Sequence, residues 1–315
     1  MKMGFVMNPV DEVNVREDTT FALMLAAQRR NWEIYYIRPE DLAAEGDEAW
    51  ATICSVEVRR DPNDKVDYGT PVYEPLHALD CVWMRKDPPF DTAYLYEANL
   101  LELAQRQGVM VLNEPRGLRG ANEKLYSLNF PQVIPDTIVT SRRQRIKNFM
   151  ADHDGRCILK PLGGHGGEGI FVLDESDRNL NALIEVSTEH QCQPVMCQAY
   201  LEEAREGDKR ILMLDGEPMG AILRVPKPEE HRSNIHVGGD VRKTELTTRE
   251  REICEVVGPR LVDDGLYFVG LDVIGERLTE VNVTSPTGIQ EMSRLDDVDG
   301  SGRVVEWIET NLGIG

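Results

Sequence analysis

The sequence predicts two unlike parts, an α/β N-terminal domain on a parallel sheet followed by an α+β half built from antiparallel hairpins. Three observations predict it. Short apolar runs alternate with amphipathic stretches through the first 122 residues, and two long strand–turn–strand segments, at 209–225 and 267–283, dominate the remainder. The length of 315 residues suffices for about two domains at ~150 residues each.

In the first part MGFVMN (3–8) reads as a buried strand, Thr20 to Arg30 as a helix and EIYYI (33–37) as a second strand. CVWMR (81–85), a helix over 92–107 and VMVL (109–112) repeat the alternation. Strands separated by helices pair in parallel, so this sheet is expected to be covered on both faces. Residues 39–79 carry charge and turn residues, among them DPND (61–64), and read as an irregular, decorated connection. A boundary is expected near 122.

Beyond it, RCILKP (156–161) and GIFVL (169–173) are strands flanking the glycine-dense GGHGGEG. A polar helix over 178–190 leads to another strand, PVMCQAYL (194–201). KRILMLDGEPMGAILRV (209–225) reads as a hairpin turning at Asp215-Gly216, and YFVGLDVIGERLTEVNV (267–283) as one turning at Gly275-Glu276. A polar segment, 226–240, and a helix over 248–263 lie between them. Two prolines, charge and a closing Gly238-Gly239 make 226–240 a candidate mobile lid.

Lys plus Arg total 35 against 55 Asp plus Glu, a net charge of −20, which argues against nucleic acid as a partner. No apolar run approaches the ~20 residues that cross a bilayer, and the opening apolar stretch is too short for a secretory signal. The expectation is a cytoplasmic protein without a membrane partner. Cys54, Cys81, Cys157, Cys192, Cys197 and Cys254 form no zinc or thioredoxin-type pair and are expected to be reduced packing residues.

Two segments carry chemistry. In ILKPLGGHGGEG (158–169) a lysine ends a strand and glycines follow at once, so that Gly164, Gly166 and Gly167 let backbone N–H groups approach a polyphosphate while Lys160 adds a point charge. The P-loop order is absent, because Lys160 precedes the glycines. A glycine-rich hairpin without a ligand is the other reading. In LDVIGERLTEVNVTSPTG (271–288), Glu280 and Asn282 share one strand face and the turn brings Asp272 beside them. Two carboxylates and an amide suit Mg²⁺ held jointly with nucleotide phosphates, unless this is simply an exposed polar hairpin face. Val281 and Val283 alternate with the polar pair and are expected to face the core. His165, His231 and His236 lack metal-ligand spacing, so zinc is not expected.

The segments MRKDPPFDTAYLY (84–96), NEK (122–124), ILKPLGGHGGEGIF (158–171), DKRILMLDGEP (208–218) and GLDVIGERLTEVNVTSPTGIQE (270–291) together resemble the bacterial glutathione synthetases of the ATP-grasp superfamily. The resemblance implies a substrate domain over 1–122 and an ATP-grasp domain over 123–315, with a lid subdomain at about 123–198 and a C-terminal subdomain at 199–315 that holds the metal. It implies ligation of γ-glutamylcysteine to glycine through an acyl phosphate, with ATP and Mg²⁺ or Mn²⁺ as cofactors, in a homotetramer.

Carried over by residue, the resemblance makes Lys124 and Lys160 phosphate contacts, Gln198, Ala199, Tyr200 and Leu201 the strand around the adenine, and Asp208 the ribose contact. Asp272, Glu280 and Asn282 would hold the metal, and Arg210 and Arg224 would lie near the reacting groups. Arg85 would meet the γ-glutamyl end, with Asp18 and Thr19 nearby, and Ser285, Pro286, Thr287 and Gly288 would form the turn that admits glycine. Arg232 and Asn234 fall in the loosely matching segment and are candidate substrate contacts. Two alternatives remain open on these residues: an ATP-grasp ligase joining another carboxylate to another amine, and a protein that keeps ATP as a regulatory ligand. MRKDPPFD and SPTG favour glutathione.

Overall fold

The computed structural model describes residues 1–164, 166–226 and 240–313. Strands β1 (Lys2–Val6) and β2 (Glu33–Glu45) flank helix α1 (Thr19–Arg29), whose first turn is capped by the Asp18 carboxylate accepting from Phe21 N at 2.6 Å. β3 (Glu48–Val58), β4 (Val66–Tyr68), β5 (Val72–Pro75), β6 (Cys81–Met84), helix α2 (Thr92–Arg106), β7 (Met110–Leu112) and helix α3 (Pro115–Gly120) follow. The sheet order is β4-β3-β2-β1-β6-β7, with β5 pairing β3.

Pairing is parallel between β1 and β2, β1 and β6, and β6 and β7, whereas β3, β4 and β5 add an antiparallel wing. This corrects the reading of 39–79 as irregular. β2 continues to Glu45, turns through Gly46 at φ +64°, and returns as β3. β3 buries Ala49, Ala51 and Ile53 while Trp50 and Thr52 lie at intermediate depth, a period of two that the surrounding charges obscure in the sequence.

The second sheet comprises β8 (Thr137–Thr140), β9 (Arg156–Pro161), β10 (Phe171–Asp174) and β11 (Val195–Ala199), in the antiparallel order β10-β9-β11-β8. Helices α4 (Arg143–Ala151) and α5 (Leu180–Ser187) supply Ile146, Phe149 and Ile184 to a small core shared with Cys157, Leu159 and Val195.

The third sheet contains β12 (Asp208–Leu214), β13 (Glu217–Val225), β14 (Asp240–Lys243), β15 (Phe268–Ile274) and β16 (Arg277–Asn282) in the antiparallel order β14-β13-β12-β15-β16. Both hairpins turn where the sequence places them. Asp215 and Gly216, and likewise Gly275 and Glu276, all have positive φ, the backbone that two-residue hairpin loops require. Helix α6 (Thr248–Asp263) begins with a capping box between Thr247 and Glu250. Helices α7 (Ile289–Asp296) and α8 (Gly300–Asn311), which the sequence reading did not anticipate, close the structure, with α8 lying against α1.

The first and third sheets share their cores. Phe5, Phe21 and Trp83 pack in one cluster with Leu212, Phe268 and Val305, and Val6 and Met84 in a second with Ile211, Val269 and Leu271. Asn113 pins the junction: its Nδ2 donates to Phe268 O at 2.9 Å and Val283 O at 3.0 Å, and its Oδ1 accepts from Phe268 N. The small core of the second sheet is separate from both. Five of the six free cysteines are buried; Cys192 is exposed in the turn after α5, which corrects the packing expectation for that residue. Among the described residues no helix is long and apolar enough to cross a membrane.

Candidate active site

A cavity of about 580 Å³ opens where the second and third sheets face each other, with Asp18 and Asp87 from the first part of the chain at one end. Lys160 stands one residue before the end of β9, is 8% exposed and, among the described residues, donates a single long hydrogen bond, 3.4 Å, to Thr279 O. Burial holds its ammonium below the usual lysine range, and neighbouring Lys124 pushes the same way while Glu280 pulls back. The glycine turn follows, with Gly166 at φ +60° and Gly167 at φ +81°, conformations that residues with a Cβ rarely adopt. Gly164, Gly166 and Gly167 all line the cavity.

Across from this turn lies β16. Asp272 and Glu280 are direct cross-strand partners, and Gly270 pairs with Asn282. A bulge next to Asp272 gives β16 an extra residue, Thr279, whose hydroxyl donates to Asp272 O at 3.1 Å. Glu280 and Asn282 reach the cavity while Val281 and Val283 are fully buried behind them, as the alternation predicts. Lys124 bridges the two walls, donating from Nζ to Glu280 Oε1 at 3.0 Å and to Gly164 O at 2.5 Å.

Two arginines converge on the same strands. Arg210 grips Asp272 through Nε at 2.5 Å and Nη2 at 3.0 Å, and Arg224 meets Asp272 Oδ1 at 3.0 Å while also donating to Asp208. Burial opposes ionisation of Asp272, but the two guanidinium groups outweigh it and hold the carboxyl well below its ordinary range. Burial has the upper hand at Asp208 and pushes it up to about 6 against the pull of Arg224. Two anionic oxygens of one strand pair beside an amide form a hard-oxygen donor set that fits Mg²⁺ completed by phosphate oxygens. Among the described residues no group of three or more His, Cys, Asp or Glu side chains could hold a metal by themselves.

One end of the cavity is an apolar slot. Ile158, Ile170 and Ile274 line it together with Gln198, Ala199 and Leu201. Sequence reasoning missed these isoleucines, because an isoleucine in a strand reads as core; their half-buried state comes from three separate segments meeting. Tyr200 is not part of the lining and instead stacks under Arg156, 3.9 Å from guanidinium to ring centroid.

The opposite end is formed by Ser285, Pro286 and Thr287 with Asp18. Burial raises the Asp18 carboxyl above its ordinary value, against the hydrogen bond from Phe21 N. Gly288, at φ +117°, starts α7 just outside the lining. Arg85 is 3% exposed and does not line the cavity. Its Nε donates to Thr20 Oγ1 at 3.0 Å and its Nη2 to Pro286 O at 3.1 Å, so a guanidinium expected to meet substrate is occupied behind the wall by the partners a buried cation requires. Thr19 is likewise fully buried. Arg232, Asn234 and the centre of the 226–240 segment, with His165, His231 and His236, lie outside the described residues. The residues missed by sequence reasoning include Glu123 and Asp87, which lie inside the segments NEK and MRKDPPFDTAYLY but take no role from the resemblance.

The family model for the prokaryotic glutathione synthetase ATP-grasp domain matches residues 123–297, and that for the prokaryotic glutathione synthetase N-terminal domain matches 1–119. The glutathione synthetase of Synechocystis sp. is 47% identical over 320 residues, covering 98% of this chain and 99% of its own length. That of Gloeobacter violaceus is 48% identical over 313 residues, covering 98% and 96%. Among solved structures, D-cycloserine synthetase DcsG superposes with a TM-score of 0.66 at 14% identity, covering 99% of this chain and 100% of that one. The ATP-grasp ligase PsnB, complexed with minimal precursor, Mg and ADP, gives 0.63 at 16% identity, covering 98% and 97%. These two share the fold. On the full-length identity and both family matches, the chain belongs to the prokaryotic glutathione synthetase family of ATP-grasp ligases.

Proposed function

We propose that the chain joins γ-glutamylcysteine to glycine with ATP, giving glutathione, ADP and phosphate. One observation carries the reading: identity of 47% to a glutathione synthetase extends over 98% of the chain. D-alanyl-alanine synthetase A of Vibrio cholerae and the ATP-grasp ligase PsnB, which share the fold, are 13% and 17% identical.

The apolar slot at Ile158, Ile170 and Ile274 takes the adenine beside Gln198, Ala199 and Leu201, with Tyr200 supporting that strand from behind and Asp208 at the ribose. Lys124, Lys160 and the N–H groups around Gly164, Gly166 and Gly167 hold the phosphates. Asp272, Glu280 and Asn282 would hold Mg²⁺ or Mn²⁺, which when bound neutralises phosphate charge. Asp18, Thr19 and Arg85 belong to the dipeptide end, with Arg85 at the γ-glutamyl group by resemblance while it also holds the Pro286 carbonyl. Ser285, Pro286, Thr287 and Gly288 receive glycine, and Arg232 and Asn234 are further substrate contacts by resemblance.

The dipeptide's cysteinyl carboxylate is a poor electrophile. One of its oxygens bonds to the γ-phosphorus as the bond to the β–γ bridging oxygen breaks and ADP leaves. Arg210 and Arg224 are placed to balance charge on the transferring phosphoryl group, since phosphoryl transfer asks of a protein mainly positioning and neutralisation. The glycine amine, having lost its ammonium proton, then attacks the acyl carbon. The tetrahedral adduct collapses as its bond from carbon to the phosphate oxygen breaks, phosphate departs with the bonding electrons, and the extra proton on nitrogen passes to phosphate or water. In this reading residues 1–122 form the substrate domain, 123–198 the lid and 199–315 the metal-bearing subdomain, and the family resemblance supports a cytoplasmic homotetramer.

The test is phosphate release by purified protein with ATP, Mg²⁺, γ-glutamylcysteine and glycine, each omitted in turn. Sustained release is expected only with all four. Turnover with D-alanine or glutamate as acceptor and none with glycine would reject the assignment.

A further inference from the structure

Asn122, Glu123 and Lys124 link the glycine turn of the second sheet to β16 of the third and to the residues that follow it. Asn122 Nδ2 donates to Leu162 O at 2.9 Å, at the start of the glycine turn, and Lys124 reaches both that turn and Glu280. Between them, Glu123 turns the other way. Its Oε1 accepts from Val283 N at 3.0 Å, Thr284 N at 3.2 Å and Thr284 Oγ1 at 2.8 Å, and its backbone carbonyl accepts from Val281 N at 3.0 Å. Val283 and Thr284 immediately precede Ser285, and Glu123 itself lines the cavity.

We propose that Glu123 is a positioning residue that sets the acceptor turn at 285–288 against the phosphate-binding Lys124, and so fixes where the glycine amine stands relative to the acyl phosphate. The inference rests on the reading of 285–288 as the glycine turn. β16 ends at Asn282, so the N–H groups of Val283 and Thr284 lie beyond the strand and are satisfied instead by this carboxylate oxygen. Three hydrogen bonds from two consecutive residues to one oxygen leave the start of the turn little freedom. Consecutive Cα atoms are ~3.8 Å apart, so the contacts of Glu123 to the turn and of Lys124 to the phosphate side spring from adjacent points of one backbone. Nucleophile and electrophile are thereby referred to one stretch of backbone, which matters because misplacement by ~1 Å can cost about a hundredfold in rate. The placement has an electrostatic cost. Burial and the nearby Glu280 both raise the Glu123 carboxyl above its ordinary value, and a residue serving packing alone would avoid both by being apolar.

The test compares E123A, E123Q, T284A and T284S in the full chain, measuring kcat and the KM of each substrate. E123A is expected to raise the KM for glycine about tenfold while the KM values for ATP and γ-glutamylcysteine stay within about twofold. E123Q is expected to stay within about threefold of the parent, because an amide oxygen accepts the same three bonds. If E123A does not fold, the threonine pair carries the test, with T284A raising the glycine KM and T284S restoring it. An unmoved glycine KM in E123A or T284A would overturn the proposal, as would loss of kcat in E123Q equal to that in E123A, which would assign Glu123 a charge-dependent role such as accepting the ammonium proton. S285A separates the two levels. If it leaves the glycine KM unchanged, the assignment of the turn fails and takes the proposal with it; if it raises that KM while E123A does not, only the role of Glu123 fails.

Discussion

Arg210 and Asp272 are direct cross-strand partners on β12 and β15, and the guanidinium holds the carboxylate through both of its oxygens. Arg224 adds a second cation to the same carboxylate. Asp272 thus does two jobs: it neutralises two buried arginines, and it stands across from Glu280 where a metal would need its oxygen. Replacing it by asparagine separates these jobs poorly but informatively. Asp272→Asn leaves Arg224 its pair with Asp208 but takes from Arg210 the carboxylate it grips, and breaking a buried pair on one side typically costs about 3–5 kcal/mol. Urea denaturation without ligands is expected to show that loss, and added Mg²⁺ and ATP should restore less of it than in the parent protein. A stability equal to the parent would mean that the arginines are not held in place by Asp272.

Glu280 gives a cleaner separation, because its carboxylate is partly exposed to the cavity and pairs with Lys124 at 3.0 Å. Glu280→Gln keeps size and strand. The melting temperature should move by only a few degrees, as for a ~1 kcal/mol change in a chain of this length, while the ligation rate at saturating ATP falls by a factor that corresponds to several kcal/mol. Asn282→Ala should do the same more mildly, since an amide contributes only a dipole. Near-normal ligation by Glu280→Gln at ordinary Mg²⁺ would move the metal to other carboxylates.

Gly258 in α6 and Gly216 in the β12–β13 turn approach so closely that a Cβ on Gly258 would lie 2.2 Å from Gly216 O. The obstacle is backbone, so no side chain can rotate away. Gly258→Ala is therefore expected to cost at least the ~1–3 kcal/mol of an overpacked site, despite alanine's better helix propensity. Thermal denaturation reads the sign directly, and a stabilised variant would show that helix and turn separate easily.

The legible parts of this molecule are those where neighbours in sequence are neighbours in the site. Lys160 and its glycines lie within eight residues, and Glu280, Asn282 and Asp272 are brought together by one hairpin, so alternation alone predicts their convergence. Arg85 shows the limit. Its motif marks it as special, but the partners that occupy it, Thr20 and Pro286, come from 65 and 201 residues away. Strand β8 escaped notice because all four residues are half-buried and show no period. Helix α8 opens with Gly-Ser-Gly, poor helix formers, although Asp299 as its cap and the spacing of Val304, Val305 and Ile308 are signals that a closer reading could use.

Lys160 links the site to pH. Burial lowers its titration from the ordinary 10.5, and among the described residues the ammonium's hydrogen-bond acceptor is the Thr279 carbonyl at 3.4 Å. In the window between the lowered value and 10.5 the unfolded chain carries a proton there that the folded chain has lost, so this group makes stability of the ligand-free protein rise with pH through that window. ATP reverses the preference, because its phosphates favour the charged ammonium. Binding should then take up a proton from solution, and affinity for ATP should fall as pH rises through the lowered value. Calorimetry in buffers of different ionisation enthalpy measures the uptake, and Lys160→Met should abolish the part of it that appears at alkaline pH while weakening ATP at all pH values. Uptake that survives in Lys160→Met would assign the proton to another group in the cavity, with Asp208 the next to replace, since its carboxyl is also displaced but toward pH 6.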